Sequence, residues 1–295
     1  MAGGPYPSVA ARGAERRYAA ALGVTVAAIL SQYFVPVLFP AAAAVYGNLG
    51  AALFIVYGIP IAAFAVLVGA GPIARWRLRM AEAAWQGLRW YGAMMVLALV
   101  VTVAIAAVYA VLDPGALALL NRPNPALQAA AGNPWFFVGF SFVVGAVEET
   151  IFRGWVFGFW SGRRAGWVAP AILSSALFAG LHLYYGTTYG IASPLIFPQL
   201  VLAGFAFAAT FEASGGNLVV VALLHGALDA SAYLTLIDTP VALGLRYGLI
   251  AVGFAVALAD AAIRSRRGGR LGIAEGRRTP ALPWRPAPVP PDRPM

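Results

Sequence analysis

Trp135–Trp160 reads WFFVGFSFVVGAVEETIFRGWVFGFW. At 1.5 Å rise per residue a helix of this length crosses the hydrocarbon core of a bilayer. Glu148, Glu149 and Arg153 nevertheless stand inside it. On an insertion scale each such charge costs about 2.5–3.5 kcal/mol at mid-membrane. Three charges so close together require partners, a chemical use, or both. The stretch therefore reads as a functional centre buried in a membrane.

The rest of the composition agrees with that setting. Hydrophobic residues make up 61% of the chain and charged residues 11%, and the mean hydropathy is +0.78. These values exclude an ordinary soluble domain and indicate a polytopic membrane protein. Cys is absent, which excludes disulfides, thiolate metal sites and a Cys nucleophile. The net charge of +9 comes entirely from Arg. Most of the arginines fall in short loops and tails, a pattern of membrane topology and anionic-lipid contact rather than nucleic-acid binding.

The fold class expected is all-α: a membrane bundle of about eight transmembrane helices with one amphipathic interfacial helix. Spans are expected over roughly 18–39, 49–72, 91–112, 135–160, from 167 onward, 194–212, 218–236 and 241–262. Between Arg75 and Trp90, apolar side chains at helical spacing face away from the arginines, as in a helix lying on the inner leaflet. Arg12, Arg16 and Arg17, then Arg75, Arg77, Arg79 and Arg89, then Arg163 and Arg164, then Arg264, Arg266, Arg267 and Arg270 fall on alternate loops. The positive-inside rule then places both termini in the cytoplasm, with the protein in the cell membrane. The organisation expected is a cytoplasmic segment (1–17), N-terminal helices and loops (18–133), a core that carries the charged span (134–263) and a basic Pro-rich cytoplasmic tail (264–295).

Only two His occur, His182 and His225, and each lies in an apolar helix. One His alone in a membrane helix is commonly a packed polar residue bonded to a carbonyl. Two of them, together with Glu148, Glu149 and Asp229, suggest a shared site. Glu148 precedes the Arg163–Arg164 hairpin by about as many residues as His182 follows it, so antiparallel helices hold the two at similar depth. His225, eight residues past Asn217, falls about 12 Å from the cytoplasmic end of its helix, in the same layer.

Within the fourth span Glu149 and Arg153 are four apart and share a face, so they are expected to pair. Glu148 points about 100° away and is free for another partner. This makes Glu148 the candidate general base, activating water with His182. His225 and Asp229 share a face of the seventh span and are candidates to stabilise an oxyanion. Gly154 and Gly158 have the spacing of closely packed membrane helices.

At these residues the chain resembles the CAAX-processing and bacteriocin-immunity (CPBP, or Abi) intramembrane proteases. That family carries Glu-Glu-x-x-x-Arg, Phe-x-x-x-His and His-x-x-x-Asn on successive helices of a roughly eight-helix core. Here the motifs read as Glu148-Glu149 with Arg153, Phe178 with His182, and His225 with Asp229. The resemblance covers roughly 134–236; the first three spans match only as hydrophobic helices. It departs at Asp229, where Asn is usual; an ionised Asp cannot donate a hydrogen bond as Asn can. A protonated Asp229, a role in orienting His225 and a role in holding a cation are the alternatives.

The resemblance implies an endopeptidase of the CAAX type, acting on a membrane protein or peptide, prenylated or not, with the bilayer and not nucleic acid as its surroundings. Glu148, His182 and His225 also make up the ligand list of a catalytic zinc, so a metal-dependent mechanism stands beside the glutamate–histidine one, and no other cofactor is implied. The rival functions are a haem protein with His182 and His225 as axial ligands and a transporter using the carboxylates as an ion relay.

Overall fold

The computed structural model describes residues 9–71, 132–161, 167–182, 193–214 and 216–234, together with the isolated positions 93, 104, 107, 111, 237 and 241. Among the described residues the ordered structure is entirely helical. The helix α1 runs Val9–Leu38, α2 Ala43–Gly47, α3 Leu49–Leu53 and α4 Ile59–Leu67. Further along come α5 at Pro134–Glu149, α6 at Gly158–Ser161, α7 at Val168–Leu181, α8 at Ser193–Ala213 and α9 at Leu218–Tyr233. Two wide π-helical segments join helices end to end: Phe54–Gly58 between α3 and α4, and Thr150–Phe157 between α5 and α6.

Local sequence accounts for the helix ends. The side chain of Asn133 accepts from the Phe136 amide at 3.3 Å, and Pro134 occupies the first helical turn of α5, where its missing N–H costs nothing. Asn217 caps α9 by accepting from the Val219 amide at 3.0 Å. Gly216 supplies the positive φ of 81° that turns the chain into that cap.

Three segments are long and apolar enough to cross a membrane: Gly13–Leu38, Gly50–Leu67 and Pro134–Trp160. They fall where the first, second and fourth spans are expected. Three further apolar helical segments are shorter, Val168–Leu181, Leu200–Glu212 and Leu218–Tyr233. The described residues thus give a helical membrane protein without giving the count of eight. The amphipathic helix at 75–90, the third and eighth spans, the 163–164 hairpin, the Gly/Tyr/Thr loop expected at 186–193 and the tail at 264–295 lie outside the described residues, apart from single positions.

Packing explains why the π segment beside the two Glu residues is tolerated. Every residue from Thr150 to Phe157 is buried. Trp155 stacks on Phe64 of α4 with ring centroids 5.4 Å apart, and its indole N–H donates to the Gly69 carbonyl at 3.0 Å. Tyr18 of α1 stacks on Phe159 at 3.9 Å and donates to the Val156 carbonyl at 3.1 Å. The N-terminal helices therefore lie directly against the fourth span.

Elsewhere α5 packs along α9 and α7 along α8. A Cβ on Gly145 would come within 2.8 Å of the Gly226 nitrogen, and one on Gly226 within 2.6 Å of a Phe142 ring carbon. These two glycines let the backbones of α5 and α9 nearly touch. A second close approach joins Gly204 of α8 to Ser175 of α7, 2.9 Å from the Cα that a Cβ there would meet.

Candidate active site

The tight α5–α9 crossing sets Glu148 and Glu149, at the end of α5, opposite His225 on α9. Glu148, Glu149 and Arg153 are each 0% exposed. Arg153 donates from one terminal nitrogen to Glu149 Oε1 at 3.0 Å and from the other to the Gly204 carbonyl of α8 at 2.7 Å. Its guanidinium also lies over the rings of Phe178 and Phe207, 4.9 and 5.2 Å from their centroids. The Glu149–Arg153 pair expected from the four-residue spacing is present, and it ties α5 to α8.

Glu149 has a second partner that spacing alone does not reveal. Its Oε1 lies 2.8 Å from His225 Nδ1. A carboxylate only accepts, so the His225 Nδ1 carries the proton and the opposite nitrogen, Nε2, faces the site. The Phe207 ring stacks on the His225 imidazole at 4.8 Å, with 20° between the planes. Carboxylate and ring together hold this imidazole in one orientation.

His182 is held in a parallel way. It follows the last residue of α7, and its Nδ1 lies 2.8 Å from the Phe178 carbonyl one turn earlier. A carbonyl only accepts, so here too Nδ1–H donates and Nε2 is the nitrogen turned to the site. Phe178 packs against this imidazole at 4.6 Å and against that of His225 at 5.6 Å. The end of α7 is anchored by α1: the Gln32 amide donates to the Leu181 carbonyl at 3.0 Å, and the Tyr33 hydroxyl lies 3.1 and 3.0 Å from the Gly180 and Leu181 carbonyls.

Both Nε2 atoms face Glu148. His182 Nε2 is 3.8 Å from Oε1, and His225 Nε2 is 3.8 Å from Oε2. These separations exceed a hydrogen bond and leave Oε2 buried without a hydrogen-bond partner. Asp229, one turn after His225, brings its Oδ2 to 3.5 Å from the same Nε2, and its side chain is 41% exposed. Of the sequence candidates, Glu148, His182, His225 and Asp229 thus come together around one carboxylate. Glu149, Arg153 and Phe178 form a layer behind it.

One member of the cluster comes from outside the motifs. The Tyr57 hydroxyl, in the π segment after α3, donates to Glu148 Oε1. Tyrosines are common in apolar spans, and Tyr57 has no sequence signal that marks it. Gly145, Gly226, Gln32 and Tyr33 likewise escape a motif reading.

Glu148, His182 and His225 do not fit the role of a zinc ligand set in this arrangement. Each imidazole faces a different oxygen of the Glu148 carboxylate. Among the described residues no group of three His, Asp or Glu side chains is disposed to hold a metal ion.

Residues 130–231 match the family described as Type II CAAX prenyl endopeptidase Rce1-like. The matched segment contains Glu148, Glu149, Arg153, Phe178, His182, His225 and Asp229 and leaves the first three expected spans outside it. No curated protein and no solved structure matches the chain.

Proposed function

We propose that this chain, a member of the CAAX-protease family through residues 130–231, is an intramembrane endopeptidase in which Glu148 is the general base. The observation that carries the reading is the facing of two histidines, from α7 and α9, onto one buried carboxylate at 3.8 Å each. A gap of that size admits a water at hydrogen-bond distance, about 2.8 Å, from both neighbours.

The reaction derives from the donors and acceptors present. With Nδ1 protonated, His182 Nε2 is an acceptor, as is the Glu148 carboxylate. A water between them directs both hydrogens to protein groups and its lone pairs to the substrate. Glu148 takes one proton as the water oxygen bonds to the scissile carbonyl carbon. The C=O π electrons move onto the carbonyl oxygen, and a doubly protonated His225 can donate to that oxyanion from Nε2 while still bonded to Glu149. Glu148 then returns its proton to the leaving nitrogen as the C–N bond breaks, so the base is regenerated.

Asp229 has an orienting role in this scheme: beside His225 Nε2 and partly exposed, it helps to hold the imidazole. The Glu149–Arg153 pair supports α5 and fixes His225. The substrate is a membrane-associated protein or peptide, and the family description points to a prenylated one. Both termini are cytoplasmic in the cell membrane, with helices and loops over 18–133, the protease core over 134–263 and a basic tail over 264–295. The haem alternative leaves the buried Glu148, Glu149 and Arg153 without a use. The relay alternative leaves the paired orientation of the two imidazoles without a purpose.

Mass spectrometry of membrane peptides from cells carrying wild-type, Glu148→Gln or His182→Ala protein tests the proposal. Cleavage products should depend on both residues. Identical peptide profiles in all three would contradict it.

A further inference from the structure

Among the described residues outside the matched family segment, Tyr57 also reaches the site, through its hydroxyl. Tyr57 stands in the π segment Phe54–Gly58 and donates to Glu148 Oε1. Glu148 lies two residues before the second π segment, Thr150–Phe157. A π segment adds a residue to its turn and rotates the downstream part of a helix against the upstream part, and such segments are frequent at functional sites. Here the first segment reaches the base that stands just ahead of the second.

We propose that Tyr57 is a positioning residue for Glu148 and that the N-terminal helices are therefore part of the active site. The inference rests on the endopeptidase function proposed for Glu148. A carboxylate this close to a doubly protonated His225 would rotate to accept directly from its Nε2 and so close the space for water. Both separations are instead 3.8 Å. The hydrogen bond from Tyr57 occupies a lone pair on Oε1 and opposes that rotation. It keeps Oε1 facing His182 and Oε2 facing His225, and Oε2 stays unpartnered. The same helical block anchors the end of α7 through Gln32 and Tyr33, so one N-terminal unit sets both the base and His182. Tyr57 transfers no proton in the reaction.

Tyr57→Phe removes one oxygen and keeps the ring. Its kcat on a membrane peptide substrate should fall about 10- to 100-fold, the range for losing a hydrogen bond to a charged group. KM should stay within about twofold, since the hydroxyl touches the base and not the substrate. A purely structural role would instead move the melting temperature and leave kcat per folded molecule unchanged. In a Glu148→Gln background the Tyr57 substitution should have no further effect, because the group it positions is gone. Where Tyr57→Phe does not yield folded protein, 3,5-difluorotyrosine installed at position 57 alone preserves the ring and hydroxyl while changing its donor strength, and kcat should again change with KM fixed. Wild-type kcat in either substitution overturns the positioning role. If Glu148→Gln is itself fully active, the endopeptidase mechanism fails whatever Tyr57 does; if it is inactive and Tyr57→Phe has wild-type kcat, only the positioning role fails.

Discussion

Arg153→Met isolates what the buried ion pair contributes. Arg153 and Glu149 are 0% exposed, with one guanidinium nitrogen 3.0 Å from the carboxylate and another 2.7 Å from the Gly204 carbonyl. Met keeps an unbranched apolar stem against the Phe178 and Phe207 rings, so the change falls mainly on charge and hydrogen bonding. It leaves the Glu149 carboxylate buried with only His225 to answer it. Removing one partner of a buried pair costs about 3–5 kcal/mol. At roughly 2–4 °C per kcal/mol for a large domain, the melting temperature should fall by roughly 6–20 °C. Thermal unfolding of the detergent-solubilised protein, monitored by circular dichroism, reads this directly. The double variant Arg153→Met/Glu149→Gln should lose less than the sum of the two single variants, since neither charge is then left alone. A loss below about 1 kcal/mol in Arg153→Met, or strict additivity in the double variant, would refute the reasoning; surface-like pairs behave that way.

The close helix crossing makes a second prediction. Gly226→Ala places a methyl 2.6 Å from a Phe142 ring carbon and 2.7 Å from the Phe142 Cα, an overlap of the kind that costs about 1–3 kcal/mol. Because the strain parts α5 from α9, cleavage activity should fall with the melting temperature; wild-type values for both would contradict the crossing. Cleavage by purified protein should also survive prolonged dialysis against a chelator. Loss of activity that zinc alone restores would replace the glutamate–histidine mechanism with a metal one.

Much of the site is legible in the chain because charge is so costly in an apolar helix. Glu148, Glu149, Arg153, His182 and His225 stand out against their neighbours, and residue spacing along straight helices already puts them at one depth. The i,i+4 rule finds the Glu149–Arg153 pair, since both residues lie on one helix. It cannot find the His225 Nδ1 contact to Glu149 at 2.8 Å, which depends on how closely two distant helices cross. That crossing is decided by Gly145 and Gly226, whereas the spacing of Gly154 and Gly158 draws attention elsewhere in the fourth span. Tyr57 is hidden for a different reason: an amphipathic aromatic in a membrane span is ordinary, and only the π segment carrying it and the neighbouring carboxylate make it exceptional.

The central claim is tested most directly with the purified protein in lipid vesicles and water enriched in oxygen-18. The substrate is a peptide bearing a prenylated Cys followed by three residues, run beside the same peptide without the prenyl group. Wild-type protein should release the C-terminal fragment and place one labelled oxygen in the newly formed carboxylate. Glu148→Gln, at a wild-type melting temperature, should be slower by at least about 100-fold, the lower bound for loss of a general base. Equal rates of label incorporation by the two proteins would contradict the account.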